Sequence, residues 1–341
     1  ARKGHEVMIY KGIDPSEKEE KVQVEKNLTI WYLPMKHLGA HGFMDCKYLD
    51  PQLKALFCFG DQQIFLPHVY RWCRRRRIPF VAYVGTAHSL DSNFKSKVMN
   101  ALFAAGTLRI YKKNPVLAKT SAAKEELRQL GVPHAVIAPV GLDNAVLKKN
   151  IPADEKMRLR KEHGFEADDV ILCNVSRLSW EKRPLELIDL FLQVKGKKKF
   201  KLIIVGNGPL EEELNEKIRK NGLEKEVKIY PNVPYEKMWE IYEMSDYYLN
   251  RNKGEIFGMA IMEAVYYKTS VAAIRALGPS VTLKDMKGHK LCENDDEMAE
   301  WITGPYPSEK DLQESSEKMA ATFTWDRCAD MKQNTLFHSL S

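Results

Sequence analysis

Glu255 and Glu263 lie eight residues apart in the run Glu255-Ile-Phe-Gly-Met-Ala-Ile-Met-Glu263-Ala, with a Phe257-Gly258 turn between them. The second half of the run is apolar and helix-forming. A helix that starts at such a turn presents unpaired amides at the positive end of its dipole, and these suit phosphate oxygens. A carboxylate just before the helix can reach a sugar. One about two turns further on can accept hydrogen bonds from the two hydroxyls of a ribose. Glu263 could instead be an exposed helix carboxylate, but its neighbours Ile261, Met262, Ala264 and Val265 are apolar. The helix is therefore expected to be buried, and a buried carboxylate needs partners.

The cations Arg177 and Lys182 precede this run, in Ser176-Arg177-Leu178-Ser179-Trp180-Glu181-Lys182-Arg183-Pro184. They stand between an expected strand and a Pro-started helix. There they can neutralise a diphosphate and stabilise it as it leaves, or simply form a solvated basic loop. Gly206-Asn207-Gly208-Pro209 follows the next expected strand. Its glycines permit close approach of backbone to a ligand, although taken alone the segment is a turn. No GK[ST] follows, so it is not a P-loop, and no GxGxxG opens a helix. Hydride transfer on a dinucleotide is poorly supported.

The elements that must position these groups alternate along the chain, which predicts an α/β protein with parallel sheets. In the first half, Val7–Tyr10, Leu28–Leu33, Ala55–Phe59, Phe80–Val84, Leu117–Lys119 and Ala135–Ala138 read as strands. Ile64–Arg75 and Ser121–Leu130 read as helices. Asp143–Glu162 is polar and reads as a hinge. A second series follows, with strands Val170–Val175, Lys201–Val205, Val227–Tyr230, Tyr247–Leu249 and Ser270–Ala273. Its helices are Pro184–Val194, Leu210–Asn221, Tyr235–Met244 and Met259–Tyr267, and a last helical region follows Trp325. The pattern predicts two Rossmann-like halves, with ligands bound beyond the C-terminal ends of the strands and a facing cleft as the default site.

At 341 residues the chain is expected to form two domains, and its 44% hydrophobic content argues against disorder. A net charge of +7 suits an anionic ligand or acidic surface without choosing among them. The six cysteines are scattered without a CxxC pair, which favours free thiols in a reducing cytoplasm. No uninterrupted apolar segment is long enough to span a bilayer, and no secretory leader is visible. Ala1-Arg-Lys-Gly-His-Glu-Val reads as a helix end, a glycine cap and a strand. The sequence is expected to begin inside a βα unit, lacking the strand and glycine-rich loop that open such a domain, or having that strand supplied by another chain.

Taken together, Arg177…Lys182, Gly206-Asn207-Gly208-Pro209 and Glu255…Glu263 resemble the donor domain of retaining glycosyltransferases of the GT-B fold, glycosyltransferase family 4. Pro139-Val140-Gly141-Leu142-Asp143 and Phe323-Thr324-Trp325 extend the resemblance over nearly the whole chain. It implies an acceptor-side domain over residues 1–143, completed by the C-terminal helix 325–341, and a nucleotide-sugar donor domain over 144–324. It implies that Arg177 and Lys182 hold the donor diphosphate and that Glu255 contacts the transferred sugar. Phe257, Gly258 and Met259 would supply backbone amides, Gly206 and Gly208 would line the donor site, and Glu263 would bind the ribose. His88, in Tyr83-Val84-Gly85-Thr86-Ala87-His88-Ser89, would touch the donor sugar near the reacting carbon. Three positions depart from the family pattern. Lys268-Thr269-Ser270 replaces Gly-Xaa-Pro, Leu277-Gly278-Pro279 replaces a glycine pair, and Arg251-Asn252-Lys253-Gly254 stands where Pro-Ser often precedes the first Glu. These departures bear on sugar specificity.

The expected reaction moves a sugar from a UDP-, GDP- or ADP-sugar to an acceptor hydroxyl with retention, the departing phosphate helping to deprotonate the acceptor. No Asp-Xaa-Asp triplet occurs, in keeping with an expected metal-independent site and no further cofactor. A nucleotide-sugar epimerase of the same fold and a catalytically silent nucleotide-sugar-binding subunit are the alternatives. The basic run Arg74-Arg75-Arg76-Arg77 reads first as a solvated helix end, where cations favour the dipole, and second as a contact for anionic lipid headgroups. The expected location is therefore cytoplasmic, with peripheral contact to the inner face of a membrane as an option. Nucleic acid is not expected, since no recognition module accompanies the charge.

Overall fold

The computed structural model describes residues 1, 3–38, 41–60, 63–87 and 94–340. The chain divides into two compact units. The first comprises Ala1–Lys119, Ala123–Ile137 and Lys332–Ser341; the second comprises Thr120–Ala122 and Ala138–Met331.

In the first unit the elements run β1 (Val7–Ile13), β2 (Glu20–Glu25), β3 (Leu28–Pro34), β4 (Lys36–Leu38), β5 (His41–Phe43), β6 (Leu56–Phe59), α1 (Leu66–Arg76), β7 (Phe80–Val84), α2 (Phe94–Ala105), α3 (Thr107–Tyr111), β8 (Val116–Ala118), α4 (Ser121–Gln129) and β9 (Val136–Ile137). The parallel strands expected here are present, but in two sheets: β1-β3-β2 and β6-β7-β8-β9. The second is parallel throughout. In the first, β2 pairs antiparallel with β3, and β4 and β5 form a separate antiparallel ribbon. Strand β7 is buried at every position, and Phe80, Ala82 and Val84 join Leu66, Val69 and Cys73 of α1 in one core.

The second unit continues with α5 (Glu155–Glu162), β10 (Val170–Val175), α6 (Pro184–Val194), β11 (Phe200–Val205), α7 (Glu211–Lys220), β12 (Val227–Tyr230), α8 (Met238–Met244), β13 (Tyr247–Asn250), α9 (Met259–Tyr266), β14 (Ser270–Ile274), α10 (Leu277–Thr282), β15 (Lys290–Cys292), α11 (Asp295–Thr303) and α12 (Glu309–Thr322), and the last helix, α13 (Trp325–Leu340), begins in it and belongs to the first unit from Lys332 on. Its six-stranded sheet is parallel throughout, in the order β12-β11-β10-β13-β14-β15. Alternate residues of each strand enter opposite cores. Leu172, Leu202, Ile204 and Leu249 pack on α6, α7 and α11, while Ile171, Cys173, Ile203 and Tyr248 pack on α8 and α9. Both faces are covered, which is why these strands read as near-continuous apolar runs.

Counted within the unit, the order is 3-2-1-4-5-6, so the chain direction across the sheet reverses between β10 and β13. The loops leaving these two strands therefore diverge and open a crevice at their C-terminal ends. Two motifs far apart in sequence meet in the same unit. Leu142 N–H donates to Phe323 O at 2.9 Å and Trp325 N–H to Leu142 O at 3.0 Å, bridging Leu142 to Thr324. A Cβ on Gly141 would stand 2.2 Å from the Thr324 carbonyl carbon, so only glycine allows this approach. Among the described residues no helix is long and apolar enough to cross a membrane.

Candidate functional site

The crevice between β10 and β13 receives one loop from each strand. After β10, Leu178 anchors the loop in the core while Arg177 stays in solvent, its side chain 78% exposed and, among the described residues, paired with Glu181 at 3.3 Å. Lys182 ends a short 3-10 turn, Trp180–Lys182. Arg183 follows in the left-handed region, with φ 56°, and hands the chain to Pro184 at the start of α6. A non-glycine residue in this conformation carries about 1 kcal/mol or more of strain, and here it lies beside a candidate functional cation.

After β13, Asn250, Arg251 and Asn252 are all buried. Asn252 N–H donates to Asn250 Oδ1 at 3.1 Å, and Gly254 N–H donates to Asn252 Oδ1 at 2.9 Å. This turn delivers Glu255. Its Oε2 accepts from Lys182 Nζ at 2.9 Å and from Asn252 Nδ2 at 3.1 Å. Both members of the ion pair are largely enclosed, Lys182 at 22% exposure and Glu255 at 16%.

Arg251 ties the two loops together from beneath. It donates to the Glu186 carbonyl in the first turn of α6 and pairs with Asp295 at the start of α11. Arg183 pairs with Glu186 at 2.9 Å. A second polar strut joins the strands themselves: Asn174 of β10 donates to Leu249 O of β13 at 2.8 Å and accepts from Ser176 Oγ at 2.9 Å. These buried amides and guanidinium groups rigidify the floor under the Lys182–Glu255 pair.

The loop from Glu255 then turns through buried Phe257 and Gly258 into α9. Gly258 caps the helix with φ 87°, a left-handed conformation that glycine adopts at little steric cost. The first helical N–H groups of α9, from Met259 onward, have no partner within the helix and line its positive end. Gly278, at the start of α10, packs so closely that a Cβ would stand 2.5 Å from the Phe257 nitrogen; its N–H donates to Glu255 O at 2.8 Å. The Leu277-Gly278-Pro279 departure therefore supports the Glu255 loop from behind.

Glu263 is 8% exposed on α9 and has the partners its burial demands. Tyr242 of α8 donates to Oε2 at 2.8 Å, and Tyr235 donates to Oε1 at 3.3 Å. Desolvation raises the Glu263 pKa above the ordinary carboxylate value, and the two tyrosine hydrogen bonds offset part of that rise. Tyr235 lies in the 3-10 turn Tyr235–Lys237 that leads into α8 and Tyr242 on α8 itself; their seven-residue spacing, within a stretch that reads as one helix, is visible in the sequence. Asn252 and Arg251 give no such signal, because a polar loop residue shows its partners only once the fold is formed.

Gly206 and Gly208 leave β11 with φ 136° and 156°. A Cβ on Gly206 would stand 1.9 Å from Ser176 O, and one on Gly208 2.5 Å from Leu178 O. These glycines press the β11 loop against the backbone of the Arg177 loop. The structure thus brings Lys182, Glu255 and the start of α9 together, sets Gly206 and Gly208 against the Arg177 loop, and leaves the Arg177 side chain in solvent. His88 lies outside the described residues.

Residues 155–319 match the family described as Glycosyl transferases group 1. An uncharacterized glycosyltransferase of Methanocaldococcus jannaschii is 22% identical, over 79% of this chain and 72% of its own length. Alpha-monoglucosyldiacylglycerol synthase of Acholeplasma laidlawii is 20% identical, over 77% of this chain and 70% of its own. Among solved structures, sucrose-phosphate synthase from Thermosynechococcus elongatus superposes with a TM-score of 0.74 at 15% identity, covering 99% of this chain and 90% of its own. Anabaena HepE in complex with UDP superposes with a TM-score of 0.67 at 19% identity, covering 80% and 76%.

Proposed function

We propose that this chain, a glycosyltransferase of the GT-B fold that uses a nucleotide sugar, transfers the sugar to an acceptor hydroxyl with retention of configuration and without a metal ion. The observation that carries this reading is the Lys182–Glu255 pair at the strand-order reversal, beside the start of α9. A cation, a carboxylate and helix amides within one crevice suit the diphosphate and the sugar of a single donor.

In this reading Lys182 turns toward the diphosphate as charge builds on it, and Arg177, extended into solvent, closes on the same group. The α9 amides add fixed dipoles. Glu255 accepts from a hydroxyl of the sugar, and Glu263 accepts from the ribose hydroxyls in place of Tyr235, whose bond is the longer of its two. The leaving phosphate takes the acceptor proton on the face from which it departs, which gives retention without an enzymic nucleophile. The two cations supply the electrophilic assistance that a metal would otherwise supply. In this reading the chain is a retaining enzyme of the kind found in glycosyltransferase family 4.

HepE is also known in complex with UDP-glucose, and sugar-lipid synthases are among the relatives. UDP-sugars are thus the first donors to test and lipid hydroxyls the first acceptors. Arg74, Arg75, Arg76 and Arg77 crowd the exposed end of α1, with Arg76 stacked 4.6 Å over Trp72. We assign them to anionic headgroups of a membrane that presents such an acceptor. Salt-sensitive binding to anionic vesicles that is lost on replacing all four arginines supports this; no vesicle binding returns them to a solvated helix end.

The decisive experiment measures nucleoside diphosphate release from UDP-, GDP- and ADP-sugars, with and without chelator, and the anomeric configuration of the product by NMR. Release that survives chelation and an unchanged anomer are expected. An inverted product overturns retention, loss of activity with chelator overturns metal independence, and failure to bind any of the donors overturns the whole reading.

A further inference from the structure

Oε2 of Glu255 accepts two donors, Lys182 Nζ and Asn252 Nδ2, while no donor from the described residues reaches Oε1. Lys182 therefore has two demands on it once a nucleotide sugar binds. The departing diphosphate attracts its ammonium more strongly than one carboxylate does, so the ion pair loosens as charge develops. Asn252 is neutral and is not drawn to the phosphate. Its place is fixed independently: its N–H donates to Asn250 Oδ1 at the end of β13, its Oδ1 accepts from Gly254 N–H, and its carbonyl accepts from Glu255 N–H at 3.3 Å.

We propose that Asn252 is a positioning residue for donor-sugar recognition, holding Oε2 of Glu255 when Lys182 turns to the diphosphate so that Oε1 stays aimed at a sugar hydroxyl. This rests on the nucleotide-sugar reading of the site. The two ends of the Asn252 amide do different things. Its oxygen shapes the turn through Gly254, and its nitrogen holds Glu255. Aspartate keeps the oxygen and loses the donor, so Asn252→Asp separates a structural role from a positioning one.

At neutral pH, Asn252→Asp sets a second carboxylate against Glu255. Turnover is expected to fall roughly tenfold or more, the scale of a lost hydrogen bond to a charged group. Affinity for the nucleoside diphosphate alone, which carries no sugar, should change by less than about twofold, since the diphosphate cations are untouched. As pH falls, the introduced carboxyl protonates and can donate again. The ratio of variant to wild-type turnover should therefore rise. Asn252→Ala should lose turnover without that recovery. If Asn252→Ala fails to fold, Asn252→Asp alone decides, with its thermal midpoint measured alongside. Wild-type turnover in Asn252→Asp, with a flat pH ratio, means the residue only shapes the turn and overturns the proposal. A wild-type protein that turns over no nucleotide sugar overturns the underlying reading instead, and this one with it.

Discussion

Lys182 Nζ lies 2.9 Å from Glu255 Oε2, although 73 residues separate the two in the chain. The contact spans the strand-order reversal, since Lys182 leaves from β10 and Glu255 from β13, and these strands are neighbours in the sheet. Both side chains are three-quarters or more enclosed, so their attraction is screened less than that of a surface pair. Beneath them Arg251 and Asn174 lock the two loops and strands together. The floor is fixed by buried polar struts, while Arg177 remains in solvent. In the proposed reaction, the enclosed Lys182 and the exposed Arg177 would both reach the leaving diphosphate while Glu255 keeps its place.

Lys182→Ala tests this division directly. Turnover should fall by roughly 10²–10³-fold, the scale observed when an oxyanion donor is lost. Affinity for the nucleoside diphosphate should fall in parallel in isothermal titration. Unchanged turnover would show that Lys182 serves only to neutralise Glu255.

Glu263→Gln separates burial from ligand binding. The folded pKa of Glu263 is raised by desolvation. The sign follows: a carboxyl with a raised folded pKa favours folding when protonated, and that contribution is lost as pH rises through the folded pKa. Glutamine keeps the side-chain oxygen for a tyrosine donor and carries no charge. The thermal midpoint of wild type, relative to Glu263→Gln, should therefore rise as pH is lowered toward the ordinary carboxylate range. Nucleotide affinity should fall in the variant at neutral pH. A pH-independent difference would show that the burial cost is not expressed.

How much of this was legible in the sequence depended on where each signal came from. Val170–Val175 and Val227–Tyr230 were readable to the residue, because both-faces-buried parallel strands announce themselves as apolar runs. Strand β2, Glu-Lys-Val-Gln-Val-Glu, is exposed at every position and is held by pairing with β3, so composition could not show it. Within the stretch read as a polar hinge, α5 forms because Arg160 is buried against Met244 O and Asp246, partners that tertiary structure alone supplies. Glu263 was readable as a buried acid in need of donors. The Asn252 contact was not, since it consists of one amide nitrogen reaching a carboxylate three residues on.

His289 predicts the acid limb of stability. It is enclosed between β14 and β15, with Nδ1 accepting from Val271 N–H at 3.0 Å and Nε2 lacking a partner among the described residues. Burial pushes its pKa down to about 4. Between that value and an unfolded value near 6.5, the unfolded chain binds a proton that the folded chain refuses. The folded state is therefore destabilised as pH falls through this window, by about 3 kcal/mol in all, and the contribution is complete above the unfolded value. Urea titrations at a series of pH values should show this loss, and His289→Asn, which keeps an acceptor without the titration, should flatten it.

Gly206→Ala and Gly258→Ala test two uses of a positive φ. At Gly206, a Cβ meets a backbone carbonyl oxygen of the Arg177 loop at 1.9 Å, and backbone cannot yield as a side chain can. At Gly258, with φ 87°, the nearest atom is Ile261 Cδ1 at 2.8 Å, the end of a flexible side chain. Both substitutions carry a left-handed-backbone penalty of about 1–2 kcal/mol, but only the first must also push two loops apart. Gly206→Ala should therefore lower the thermal midpoint more than Gly258→Ala and displace the Arg177 loop. Gly258→Ala should act mainly where α9 begins, weakening nucleoside diphosphate affinity at modest loss of stability. Equal thermal losses with unaltered affinity in both would show that the start of α9 is not a phosphate contact, because tilting its first amides would then have cost the ligand nothing.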